Sequence, residues 1–398
     1  MNKYSMIKTN HYIKNLVIAF CIVIINGCSS LIYKSIPLKD VAKARGKYDI
    51  GTQHFYFTDS TREMWFNEKV NEVRQVSVKI WYPAKLNNLD RKAAYVEEQE
   101  LISDALSARL GVPKELSNRI TDIQCNSYIN ASPIKGNFPI IIYSHGHRSL
   151  KIANTFQAEE LASRGFFVIA LDHTYDAAIT VLENNDIIFP KSKLPSNDKE
   201  ASDARMISRV EKQLDIRSKD ISFLLDELFE KFLSDNKYVG IIDTSKIGIF
   251  GHSFGGATSI QSAYLDNRVD AVFGLDAYFL PLSKKLIKED LNKPFAHLGQ
   301  TDWGKSDNYS VMADFCSNNS DLSVHFAAEG SKHNDFTDFS QFTRLTKKFG
   351  SGKISPKKIR IIMNNLLFDF YNYHLNGIGS FDPEDYTLVS KNLSHDIY

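Results

Sequence analysis

Apolar and polar positions alternate in two different ways along the chain. Near the start, "TQHFYFTD" and "RQVSVKIWYP" alternate residue by residue, with Val76, Val78 and Ile80 on one face. That period predicts two half-buried strands, antiparallel to each other, the second ended by Pro83. Residues 92–130 carry a helical stretch, "AAYVEEQELISDALSARLGV". From "FPIIIYSHG" onward the rhythm changes to continuous apolar runs, the pattern of strands buried on both faces. "FFVIALDH", "KIGIFG", "AVFGLD", "PFAHLGQTD" and "VHFAAEG" repeat it. Amphipathic stretches lie between these runs. "TFQAEELASRG" reads as a helix closed by Gly165, and a longer helix carries Met206, Val210, Leu214, Ile221, Leu224, Leu225, Leu228 and Phe232 on one side. "AAITVLENNDIIF" reads as a hairpin turning at Asn184 and Asn185, and "PKKIRIIMNNLLFDFYNYHLNG" as a closing helix. Strands alternating with helices predict an α/β fold, a mostly parallel sheet covered on both faces, with antiparallel strands at its N-terminal side.

The first residues break the pattern. Lys3, Lys8 and Lys14 precede "LVIAFCIVIING", and Cys28 follows. A basic start, a short apolar run and a small residue describe a secretory leader. The run is shorter than the roughly 20 residues that span a bilayer. "INGCSS" resembles the lipobox of bacterial lipoproteins, which implies cleavage after Gly27 and lipidation of Cys28. An uncleaved N-terminal anchor is the alternative. Both place the rest of the chain outside the cytoplasm, tethered to a membrane. The organisation expected is a leader over 1–27, a polar linker over 28–50 and one catalytic domain over 51–398.

The 398 residues carry a formal charge of +1 without a long basic or acidic block, which gives nucleic acid no electrostatic footprint. Cys125 and Cys316 remain beyond the leader. In an oxidising compartment they either pair or stay as two buried thiols, and buried thiols are the plainer expectation.

The chemistry concentrates at "FGHSFGGATSI". Average glycine and serine usage alone gives G-x-S-x-G in roughly one chain of this length in ten. The context carries the argument. Ser253 follows a buried strand directly and precedes a helix start of small residues, as a nucleophile elbow requires. Side chains at 251 or 255 would strike neighbouring backbone, so glycine stands at both. A glycine-rich turn with an idle serine is the bland alternative. A serine hydroxyl needs a base, and His333 in "AAEGSKHNDF" lies after the last strand, where the order serine, acid, histidine puts it. His252 adjoins the serine with its side chain expected to point away, His145 and His173 end earlier strands, and His297 lies inside one. Asp276 and Asp302 both end strands on the catalytic side and are both candidate acids. The oxyanion donors expected are the backbone N–H groups of Phe254 and His147, the latter reached through Gly146. A metal-ligand reading of His145 and His147 lacks a carboxylate partner.

These residues together resemble the platelet-activating factor acetylhydrolase family, the lipoprotein-associated phospholipase type of serine α/β-hydrolases. "FTD", "VKIWYP", "SHG", "ELASRGFFV", "IGIFGHSFGGAT", "LDAYFLPL" and "GSKHNDFTDF" carry the resemblance, in the family's order over most of 51–375. It implies Ser253 as nucleophile and His333 as base. It also implies Asp276 rather than Asp302 as acid, since the family draws it from "LDA". His147 stands where the family often has leucine, and only its N–H is needed. No metal or cofactor is implied. The substrates implied are short-acyl phospholipids or related lipid and small esters. General carboxylesterase or polyester hydrolase activity, acyl transfer to an alcohol, and a non-catalytic binding domain are the alternatives.

Overall fold

The structure, a computed structural model, describes residues 40–382 except 66–71, 111–113, 197, 233, 235–236, 302–305, 320–321, 343–345 and 348–349, and also 386, 390 and 391. The leader, Cys28 and Asp302 lie outside the described residues.

Six strands form the parallel centre of the sheet, in spatial order β7-β6-β10-β11-β12-β13. They are β6 (Phe138–Ser144), β7 (Phe167–Asp172), β10 (Ile242–His252), β11 (Ala271–Leu275), β12 (Phe295–Gln300) and β13 (Ser323–Ala328). Beyond β7 the sheet continues through β2 (Val73–Lys85) and β1 (Asp49–Glu63) to β4 (Gln124–Ile129) and β3 (Lys92–Ala94), with β5 (Ser132–Pro133) on β2. Beyond β13 lies β14 (Ser390–Lys391), antiparallel to it. β8 (Thr180–Val181) and β9 (Ile187–Ile188) form the expected small hairpin apart from the main sheet.

The apolar runs explain the layers. In β6, Ile140 and Ile142 enter one core and Ile141 and Tyr143 the other. The first core is roofed by α4 (Ala204–Glu227), α5 (Phe254–Leu265) and α6 (Asp307–Asn318), through residues such as Leu214, Ile260 and Phe315. The second is roofed by α3 (Thr155–Ser163) and α7 (Pro356–Asn376), through Leu161, Ile362 and Leu366. α7 is framed by its own sequence: the Ser355 hydroxyl accepts from Lys358 N–H at 3.1 Å, Pro356 opens the first turn, and Gly377 ends it at φ 65°. Helices α1 (Gln99–Leu110) and α2 (Lys114–Thr121) lie between β3 and β4, so the stretch read as helical is bounded by strands.

Four expectations need correction. β2 is buried on both faces, because Ser77 and Lys79 on the polar side are covered and Lys79 Nζ lies 3.1 Å from Glu97. Pro83 does not end β2, which runs on to Lys85, and Pro83 O still accepts from Ile134 N–H at 3.0 Å. α3 is buried over its whole length rather than amphipathic. Its polar residues bind neighbours: Glu159 accepts from Ser127 N–H at 2.7 Å and Glu160 from Arg45 Nε at 2.9 Å. That last contact shows that the described part of the expected linker, residues 40–50, packs on the domain. Val41 is buried, and its N–H donates to Gln124 O at 2.9 Å.

Candidate active site

β10 delivers Ser253 to the N-terminus of α5 at φ 56° and ψ −121°, a conformation that L-residues avoid. The surroundings over-determine it. Ser253 N–H donates to Leu275 O at 3.0 Å, and Ser253 O accepts from Gly256 N–H and Tyr278 N–H, both at 2.9 Å. The glycines follow from the close approach: a Cβ at Gly251 would lie 2.1 Å from Gly255 O, and one at Gly255 2.0 Å from Ser144 O.

Asp276 sits at the end of β11, beside Ser253 through the β10–β11 pairing of His252 with Leu275. It too has a positive φ, 43°. Its fully buried carboxylate accepts from Gln300 N–H (3.2 Å), Gln300 Nε2 (2.8 Å), Tyr309 O–H (3.3 Å) and His333 Nδ1 (2.5 Å). Burial and the adjacent Asp276 raise the Tyr309 pKa strongly, so the phenol stays a donor. His333 opens a single 3₁₀ turn after β13, with a third of its side chain exposed (33%). Asp335 pins that turn by accepting from Lys332 N–H at 2.9 Å and Gly352 N–H at 2.6 Å.

Behind the acid, His297 is the satisfied core histidine expected. Ala277 N–H donates to its Nε2 at 3.0 Å, which leaves the proton on Nδ1, 2.8 Å from His325 Nδ1. Burial lowers both pKa values, that of His325 to about 4, so the pair is neutral. His252 has a contact that the sequence did not suggest. Its ring packs 4.5 Å from that of His333, and its Nε2–H donates to His333 O at 3.0 Å. It supports the backbone of the base, a role that no local pattern reveals because the partner lies 81 residues away.

The loop after β6 packs close against Ser253. A Cβ at Gly146 would come within 2.9 Å of His252 Nδ1 and 3.3 Å of Ser253 Cβ, so only glycine lets the loop approach this closely. His147 follows it, half-buried, with its pKa lowered by burial. His145 is not available to a metal: its Nε2 accepts from His173 N–H at 3.1 Å, and its Nδ1–H donates to Gly146 O at 2.7 Å. Elsewhere His54, Glu97 and Glu98 bring ligand-type atoms within 4.8 Å of one another. Lys79 beside Glu97 already supplies countercharge there, so the group reads as an ion-pair network. Cys125 and Cys316 are buried free thiols.

A cavity of about 330 Å³ is lined by Ile207, Val210, Tyr278, Leu280 and Pro281 together with the carboxylates Glu211 and Asp307. Tyr278 links it to Ser253, since its N–H binds the Ser253 carbonyl.

A parallel sheet with helices on both faces, a strained serine at a strand-to-helix elbow and a histidine–aspartate pair in that chain order define a serine hydrolase of the α/β-hydrolase class. A family model described as "Platelet-activating factor acetylhydrolase, isoform II" matches residues 33–392, and the chain belongs to that family. It is an ester-hydrolysing enzyme. It is 25% identical over 317 residues to the platelet-activating factor acetylhydrolase of Gallus gallus, covering 70% of this chain and 74% of the relative. With the acetylhydrolase of Canis lupus familiaris it shares 25% over 386 residues, covering 90% and 82%. A probable 1-alkyl-2-acetylglycerophosphocholine esterase of Arthroderma benhamiae is 28% identical over 138 residues, 35% of this chain and 31% of that one. Among solved structures, a ferulic acid esterase from Streptomyces cinnamoneus superimposes with TM-score 0.72 over 89% of this chain and 99% of its own, at 23% identity, a likeness of fold.

Proposed function

We propose that the enzyme hydrolyses short-acyl esters of glycerophospholipids through an acyl-enzyme on Ser253. Ser253 Oγ attacks the ester carbonyl while His333 Nε2 takes its proton. Asp276 holds Nδ1–H and stabilises the imidazolium that forms. The N–H groups of His147 and Phe254 bind the oxyanion. His333 then protonates the leaving alcohol, and water repeats the sequence to release the acid. The observation that carries the reading is the 2.5 Å contact of His333 with Asp276, one strand end from the strained Ser253. The names of the relatives supply the short acyl group, and the apolar cavity beside Tyr278 suits the lipid part of such an ester.

A panel of phosphatidylcholines differing only in the acyl group at the second position tests this. Hydrolysis is expected to be fastest for acetyl and to fall with length. A preference for long acyl chains, or for transfer to added alcohol over water, would overturn the substrate assignment. Ser253→Ala is expected to lower turnover on the order of a thousandfold or more and to abolish fluorophosphonate labelling.

The leader motif supports an exported enzyme held at the membrane by acyl chains on Cys28, each buried methylene contributing about 0.8 kcal/mol. Mass spectrometry of the mature N-terminus is expected to find lipidated Cys28. A chain beginning elsewhere would exclude it.

A further inference from the structure

The geometry points to Arg217 as a positioning residue for the oxyanion hole, bracing from α4 both segments that supply its two N–H donors. The inference rests on the proposed roles of Ser253, His147 and Phe254.

Arg217 is 1% exposed and lies on α4, the same helix that carries Ile207, Val210 and Glu211 of the cavity wall. Its Nη2 donates to His145 O and, at 3.2 Å, to Ser144 Oγ. Its Nη1 lies 3.2 Å from Asp176 Oδ1. Its guanidinium sits 4.9 Å from the centroid of the Phe254 ring, over the first residue of α5. One cation therefore touches both the loop that carries the His147 donor and the side chain of the residue that carries the other.

Planarity of the peptide unit turns that contact into aim. Gly146 O and His147 N–H belong to one trans peptide and point in opposite directions. Gly146 O is held by His145 Nδ1–H at 2.7 Å and by Ser149 N–H at 3.0 Å. Fixing that oxygen fixes the direction of the His147 N–H. The His145 ring that does so is itself held at Nε2 by His173 N–H, and its own carbonyl is the one Arg217 grips. On the far side of the donor, Arg148 N–H binds Asp176 O at 3.1 Å, so the partner of Arg217 also closes the loop from there. Arg217 is not needed to neutralise the neighbouring Asp220, which is already paired with Arg74 at 2.6 Å and Arg62 at 3.1 Å. A preorganised donor matters in the transition state and hardly at all in the ground state. Loosening it lowers turnover without weakening substrate binding.

The test compares wild type with Arg217→Met, Arg217→Lys, Asp176→Asn and the double variant Arg217→Met/Asp176→Asn. The double variant leaves no carboxylate orphaned. Each folded variant is assayed for kcat and KM on p-nitrophenyl acetate and for inhibition by a trifluoromethyl ketone, whose serine adduct bears the oxyanion. Arg217→Met, alone or in the double variant, is expected to lose about a hundredfold in kcat. KM should stay within about threefold of wild type and ketone affinity should fall in step with kcat. Arg217→Lys should recover part of the loss, because an ammonium can still reach one acceptor. Asp176→Asn, which frees one side of the guanidinium, should show the same pattern at about a tenfold loss, and it decides the matter if no Arg217 variant folds. A folded variant with kcat near wild type, or one whose kcat falls while ketone affinity does not, overturns the inference. Wild-type protein that neither hydrolyses the ester nor labels at Ser253 would overturn the functional reading instead.

Discussion

Four hydrogen bonds converge on the Asp276 carboxylate, and only the one from His333 is part of the proposed proton relay. Asp276→Asn keeps the shape of the side chain but offers an amide to His333, which favours the wrong tautomer. Turnover is expected to fall on the order of ten-thousandfold, as in the serine-protease precedent, with the fold intact by circular dichroism. Gly255→Ala tests the elbow in another way. Its methyl would lie 2.0 Å from Ser144 O, a rigid strand carbonyl, so expression or melting temperature should suffer along with activity. Ser253, His333 and Phe254 stand out as candidates in the sequence because each sits in a short local pattern: an elbow, a loop after the last strand, the residue after the proposed nucleophile. The choice between Asp276 and Asp302 was not legible from strand ends alone. The contact of Asp276 with His333 supports the choice of Asp276, while Asp302 lies outside the described residues. His252 and Arg217 escaped sequence reasoning altogether, because their partners lie 81 and 72 residues away, and no periodicity encodes such a pairing.

At the scale of elements, apolar runs identified the parallel strands well because burial on both faces leaves no polar alternation to confuse them. β10 shows what that burial contributes. Ile249 is completely buried between β6 and β11, and Ile249→Ala is expected to destabilise the protein by about 2–5 kcal/mol, read from denaturant unfolding. The errors fell where polar residues are buried by pairing. Lys79 in β2 and Glu159 and Glu160 in α3 look like solvent positions in the sequence, yet each meets a partner from a distant segment. The same reasoning explains the linker. Nothing in the residues around Val41 and Arg45 announces a core element, and they order by docking on β4 and α3.

At the scale of the whole molecule, two deeply buried histidines stay neutral, His325 in β13 and His173 just past the end of β7. Burial lowers His173 and His325 to about 4, against an ordinary value near 6.5. The unfolded chain therefore binds more protons than the folded one between these values, and stability rises with pH across that window. The contribution is full above about 6.5 and is lost as pH falls towards 4. Melting temperature should be nearly flat from pH 8 to 7 and then decline as the solution is acidified through this range. A flat profile down to pH 4 would show that these imidazoles do not govern the acid limb. The two buried thiols, Cys125 and Cys316, should leave the melting temperature insensitive to reductant.

The backbone at Ser253 has a consequence for how durable the enzyme is. Its φ of 56° and ψ of −121° suit glycine and strain any other residue, by about 1–3 kcal/mol. Ser253→Ala removes the hydroxyl and keeps the strain; Ser253→Gly removes both. The glycine variant should therefore melt above the wild type and above the alanine variant, although it hydrolyses nothing. An inactive protein that outlasts its active parent would show that holding a nucleophile ready at this turn is itself a standing burden on the fold, one the chain sustains for catalysis alone.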